Sequence, residues 1–217
     1  MEDTRIPVAD VVLEADIAVP PDARGLVLFA HGSGSSRHSP RNRAVADELR
    51  RSGLATVLAD LLTETEEQVD VTTREFRFDI GRLAARLAAL VDWLGGQPRT
   101  ADLGIGLFGA STGAAAALVA AAVRPDDVQA VVSRGGRPDL AGQYLDRVRQ
   151  PTLLVVGQLD PVVVELNRAA LNRLPGGERR LVIVPGATHL FDEPGTLQQV
   201  AYLARDWFLD HLKPRRT

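Results

Sequence analysis

The chain has 217 residues, 45% hydrophobic and 24% charged, with a net charge of -3 and no cysteine. Such values describe a globular chain expected to form one domain over residues 1–217. They exclude disulfides, thiolate metal sites and a cysteine nucleophile. The charge is mildly negative, and dense basic runs occur only in the last few residues, so nucleic acid is not indicated as a partner. The start resembles no signal peptide and no run of 18 apolar residues occurs, so a cytoplasmic protein without a membrane partner is expected. Lys213 is the only lysine, which leaves no lysine placed to act as a base or Schiff-base former.

Residues 8–19 alternate loosely and are rich in β-branched side chains, which predicts an edge strand ended by Pro20 and Pro21. Leu26 to Ala30 is a continuous apolar run, as expected of a strand buried on both faces. It leads into the flexible segment His31-Gly32-Ser33-Gly34-Ser35-Ser36. Helical spacing follows over 43–51, then a buried strand over 55–59 and a polar, acidic surface loop over 60–72. A long amphipathic helix is predicted over 73–94, closed by Gly95 and Gly96. Further strands are predicted over 103–108, 128–132, 152–156 and 180–184. Helices are predicted over 114–123, 162–174 and 196–212. Strands alternating with helices imply an α/β fold with three layers and a mostly parallel sheet of about seven strands. Ligands of such sheets bind at the carboxyl ends of the strands. The polar residues found there include Ser111, Asp160 and His189.

Gly109-Ala110-Ser111-Thr112-Gly113 falls between a predicted strand and a predicted helix. A serine on so sharp a turn takes strained backbone angles and is lifted clear of the sheet, and the close approach of neighbouring chain requires small residues two positions either side. Ser111 is therefore the candidate nucleophile. A serine hydroxyl needs a base to remove its proton. Of four histidines, His189 alone follows a late strand from which it can reach over the sheet edge. The base needs an acid to fix its tautomer. Asp160, before Pro161, is the candidate, and Asp192 is a rival in the histidine's own loop. Backbone N–H groups of Ser33 and Thr112 are the candidate oxyanion donors. His31, Gly32, Arg41 and Arg134 are candidates for substrate contact, an arginine being suited to bidentate binding of an anionic group. Arg37, Arg43 and Arg137 lie nearby in the sequence.

The segments His31-Gly32-Ser33-Gly34-Ser35-Ser36, Gly109-Ala110-Ser111-Thr112-Gly113, Gly157-Gln158-Leu159-Asp160 and Gly186-Ala187-Thr188-His189 resemble the α/β-hydrolase superfamily, especially its short dienelactone-hydrolase-like bacterial members, from Leu26 to about Leu212. The resemblance implies the α/β-hydrolase fold and a Ser111-Asp160-His189 triad that needs no metal or organic cofactor. Dienelactone hydrolases proper use a cysteine nucleophile, which this chain lacks, and its N-terminal antiparallel strands look abbreviated. Larger relatives insert a cap after the strand corresponding to residues 128–132. Only residues 133–151 are available here, enough for one short helix near 139–148, so no substantial cap is expected. The expected activity is hydrolysis of small carboxylic esters by a monomer or small homo-oligomer. Acyl transfer, thioester, amide or lactone cleavage, and a non-catalytic ligand-binding role remain open at this stage.

Overall fold

The computed structural model describes residues 2–8, 11–175 and 177–215. Its strands are β1 (Glu2–Val8), β2 (Val11–Ala18), β3 (Leu26–Ala30), β4 (Ala55–Ala59), β5 (Ile105–Ala110), β6 (Val128–Arg134), β7 (Thr152–Gly157) and β8 (Arg179–Val184). Its α-helices are α1 (Pro40–Arg51), α2 (Glu64–Thr73), α3 (Ile80–Gly95), α4 (Thr112–Val123), α5 (Pro161–Arg173) and α6 (Thr196–His211). A 3₁₀ segment, Pro138–Arg147, is broken by Gly142 at φ 56° and ψ -129°.

The strands form one sheet in the order β1-β2-β4-β3-β5-β6-β7-β8. All pairings from β4 to β8 are parallel, whereas β2 runs antiparallel to both β1 and β4. The reason lies in strand composition. Every residue of β3 and β4 is buried, so both faces need cover. Along β3, Leu26, Leu28 and Ala30 join the core beneath α3 and α4, while Val27 and Phe29 join the core beneath α1 and α6. Helix α4 carries little but alanine and valine, and residues 112–122 are all buried. Small side chains let this helix lie close to the sheet and to α3 at once.

The sheet has eight strands where about seven were expected, and β1 accounts for the difference. Its sequence, Glu2-Asp3-Thr4-Arg5-Ile6-Pro7-Val8, has only Ile6 and Val8 buried, and Pro7 obscures the alternation. The N-terminal strands are therefore not abbreviated: β1 and β2 pair over seven residues. The acidic stretch read as a loop contains α2. A capping box signals it: the Thr63 hydroxyl accepts from the Glu66 N–H while the Glu66 carboxylate accepts from the Thr63 N–H. Helix α3 starts at Ile80 rather than residue 73, because Asp79 caps it through the Arg82 N–H. No helix among the described residues is long and apolar enough to cross a membrane.

Candidate active site

Ser111 sits between β5 and α4 with φ 52° and ψ -120°, a conformation that side chains avoid without strong local enforcement. The enforcement comes from its neighbours. A Cβ on Gly109 would collide with Ala114 Cα, and one on Gly113 would collide with the carbonyls of Ala30 and His31. The serine N–H donates to the Arg134 carbonyl at 3.1 Å, and its own carbonyl accepts from the Arg137 N–H at 3.1 Å. Its hydroxyl makes no capping bond to the helix beneath.

His189 occupies the loop after β8. Its Nδ1 donates to Asp160 Oδ2 at 2.6 Å, the donor role following from the acceptor-only carboxylate. That bond leaves Nε2 as the nitrogen available to take a proton. Asp160 stands at the N-cap of α5 but makes no side-chain capping bond, so its carboxylate is kept for the histidine. The two loops are tied together: Leu159 N–H donates to the Ala187 carbonyl at 2.9 Å, and Gly186 N–H to Gln158 Oε1 at 2.9 Å. Phe191, 1% exposed, anchors the histidine loop in the core. Gly135, at φ 51°, lies against the His189 ring, where a Cβ would stand 3.5 Å from Cε1. Asn167, fully buried, holds the adjoining turn through the Gly136 carbonyl at 2.9 Å. Sequence reasoning missed Asn167, since a lone asparagine inside a helix carries no motif.

Asp192, the rival acid, does not reach the histidine; it pairs with Arg41 at 3.3 Å. The structure thus gathers Asp160 and His189 by direct contact and sets Ser111 beside them through the Arg134–Gly135 segment. No hydrogen bond joins the Ser111 hydroxyl to His189 among the described residues.

The loop after β3 departs from expectation. The Ser33 N–H, expected as an open oxyanion donor, instead donates to Thr112 Oγ1 at 3.0 Å. The two hydroxyls are 2.9 Å apart, and the Ser33 hydroxyl also donates to the Arg77 carbonyl at 3.3 Å. The expectation assumed an empty amide. A threonine directly after the nucleophile supplies a hydroxyl that fills it. The Thr112 N–H heads α4 and has no intrahelical partner. His31 is likewise withdrawn from substrate contact: it is 7% exposed, its Nε2 accepts from the Leu61 N–H at 3.0 Å, and its Nδ1 then donates to the Gly32 carbonyl. Both ring nitrogens are used in shaping the loop. Gly32 does lie against the nucleophile, where a Cβ would stand 3.0 Å from Ser111 Cβ.

The 3₁₀ segment after β6 packs on α4 and α5, and no cap domain covers the strand ends. Leu159, Val162 and Leu190, beside Asp160 and His189, expose 59%, 69% and 42% of their surface. Among the described residues no group of three histidine, aspartate or glutamate side chains is placed to hold a metal ion.

A strained serine at a strand-to-helix turn, an aspartate-bound histidine after the last strand and a mostly parallel sheet between helices define an α/β hydrolase. The chain belongs to the dienelactone hydrolase family, whose sequence profile matches residues 13–212. It is similar in structure to a dienelactone hydrolase from Anabaena variabilis, with a TM-score of 0.95 and 56% identity over 98% of both chains. Est1E from Butyrivibrio proteoclasticus shares the fold at 20% identity, with a TM-score of 0.78 over 96% of this chain and 98% of its own. A lidless serine hydrolase from Xanthomonas campestris does so at 23% identity, with a TM-score of 0.71 over 95% and 94% of the two chains. A protein of Mycobacterium tuberculosis named "Putative phosphoribosyl transferase" is 57% identical over 97% of this chain. The chain spans 46% of that relative's length.

Proposed function

We propose that this hydrolase cleaves small carboxylic esters through Ser111, His189 and Asp160. The observation that carries the reading is the 2.6 Å bond from His189 Nδ1 to Asp160, made by an aspartate that declines its own helix cap. It fixes the imidazole so that Nε2 is the basic nitrogen.

His189 takes the Ser111 proton as the serine oxygen attacks the ester carbonyl. The tetrahedral oxyanion lies at the head of α4, where the Thr112 N–H and the positive helix end face it. The Ser33 N–H joins as a second donor once the Thr112 hydroxyl yields it. The imidazolium then protonates the leaving alcohol, and the acyl group remains on Ser111. Water, deprotonated by His189, releases the acid and restores the serine. Each step moves protons between groups of this chain and the substrate, so the cycle calls for no cofactor. The exposed apolar rim of Leu159, Val162 and Leu190 favours an apolar portion on the substrate, and the open strand ends favour short acyl groups.

A fluorophosphonate probe tests the reading. Wild type is expected to be labelled at Ser111 and Ser111→Ala not at all, with turnover falling as acyl esters lengthen. Absence of labelling in folded wild type overturns it.

A further inference from the structure

The loop after β3 and the head of α4 are joined by a two-bond clamp beside the nucleophile. Thr112 directly follows Ser111 and is 4% exposed. Its Oγ1 accepts from the Ser33 N–H at 3.0 Å and lies 2.9 Å from the Ser33 hydroxyl. A count of protons gives the direction of the second bond. The Ser33 hydroxyl gives its one proton to the Arg77 carbonyl at 3.3 Å, so the Thr112 hydroxyl donates to Ser33 Oγ. Thr112 thus holds one residue by both its backbone and its side chain.

Ser33 is braced from its other side. Asp70, buried on α2, accepts from the N–H groups of Phe76 and Arg77 at 2.8 and 3.0 Å and from Arg77 Nε at 2.5 Å. These bonds fix the Arg77 carbonyl, and with it the Ser33 hydroxyl. The loop can therefore stay in place while its amide is uncovered. A turn about χ1 of Thr112 is enough, and a threonine in a helix has two favoured χ1 positions.

The strengths of the competing bonds decide when that turn occurs. A neutral ester carbonyl offers the Ser33 N–H one neutral bond, against the two that Thr112 would give up. An oxyanion offers a charge-assisted bond about twice as strong as a neutral one. The amide is then released as charge develops. An interaction made only at that stage raises turnover without tightening substrate binding.

We propose that Thr112 is a positioning residue whose hydroxyl closes the Ser33 oxyanion amide in the resting enzyme and surrenders it to the charge of the tetrahedral intermediate. This rests on the ester-hydrolase reading above.

Two measurements test it. Thr112→Val keeps the shape and removes the hydroxyl, so a neutral carbonyl can use the Ser33 amide from the outset. KM for a p-nitrophenyl ester is expected to fall about threefold to tenfold, the size of one neutral hydrogen bond, with kcat held within about threefold. The melting temperature is expected to fall as well, because the clamp is lost. Tighter binding in a less stable enzyme is the reverse of what loss of a purely structural threonine gives. Thr112→Ser restores the hydroxyl and should return both values towards wild type. A KM unchanged or raised in Thr112→Val overturns the proposal. The second measurement needs no variant: a crystal structure of wild type phosphonylated at Ser111 by the fluorophosphonate probe. The phosphonyl oxygen is expected to accept from the Ser33 N–H, with the Thr112 hydroxyl turned away. An adduct in which Thr112 still holds that amide overturns the proposal even if the valine variant fails to fold. Wild type that the probe does not label sinks the hydrolase reading and this one with it. Labelled wild type with an unmoved Thr112 leaves the hydrolase standing and removes the clamp's role alone.

Discussion

Two stretches of the sheet's carboxyl edge treat polar groups in opposite ways. At the β2–β4–β3 end, Arg37 is surrounded by Asp60, Glu14, Asp16 and Asp3, and its own N–H donates to Asp60 at 2.6 Å. Burial works against it, but Asp60 and Glu14 raise the Arg37 guanidinium above its usual value. At the β5–β8 end, Ser111 is strained and, among the described residues, its hydroxyl makes no capping bond and buried Arg134 has no carboxylate of its own. The first region spends its charges on holding the loop after β3 to the strands. The second withholds them. Groups that a fold leaves unsatisfied at high local cost are where external molecules are engaged, and the contrast favours the β5–β8 half of the edge for the proposed chemistry.

The contrast can be broken most severely at Ser111. Ser111→Ala is expected to lower ester turnover on the order of 10⁴-fold or more, read from kcat/KM at neutral pH. Ser111→Gly should also raise the melting temperature, because glycine accepts φ 52° without strain. Next comes the acid. Asp160→Asn should cost roughly 10²–10⁴-fold in kcat, since the amide holds the wrong tautomer. Asp192→Asn should leave kcat for a neutral ester within about threefold, and an equal loss in both variants would count against the assignment.

In the saturated region the losses should appear as stability. Arg37→Met leaves several carboxylates facing one another, and denaturant titration should show about 3 kcal/mol of destabilisation. The smallest effect concerns α2. Burial opposes ionisation of Glu66, but bonds from Arg86 and Thr63 outweigh it and hold the carboxyl at about 2. A folded value below the unfolded one gives stability that is present above about pH 4.5 and lost as pH falls towards 2. Glu66→Gln should cost about 1–2 kcal/mol at pH 7 after allowing for solvent screening. That difference from wild type should vanish near pH 2, as followed by thermal melts across the range.

The parallel part of the fold was legible because burial on both faces writes itself into sequence: β3 and β4 are continuous apolar runs and lie where expected. β1 was not, since an edge strand needs only one apolar face, and Ile6 and Val8 are too few to mark one. α2 was hidden by its polarity, although Thr63 and Glu66 announce its start. That Ser111, Asp160 and His189 each follow a strand was readable in the sequence, and a parallel sheet brings every such position to one edge. What could not be read was how side chains would partner. Thr112 gives no sign in sequence that its hydroxyl takes up the Ser33 amide. Nor do the arginines near the site reveal which are already paired. Both facts depend on distances between loops from different strands.

The 3₁₀ segment between β6 and β7 carries none of the proposed triad. Its Gly142, at φ 56°, has open space around it. This bend and the proposed triad therefore lie on separate stretches of chain. A longer insertion grafted at this bend could narrow the approach to Ser111 and change which esters are admitted, while Asp160 and His189, held by the strands that follow, keep their bond. Strand ends without a cap domain make this fold an adaptable starting point for altered selectivity.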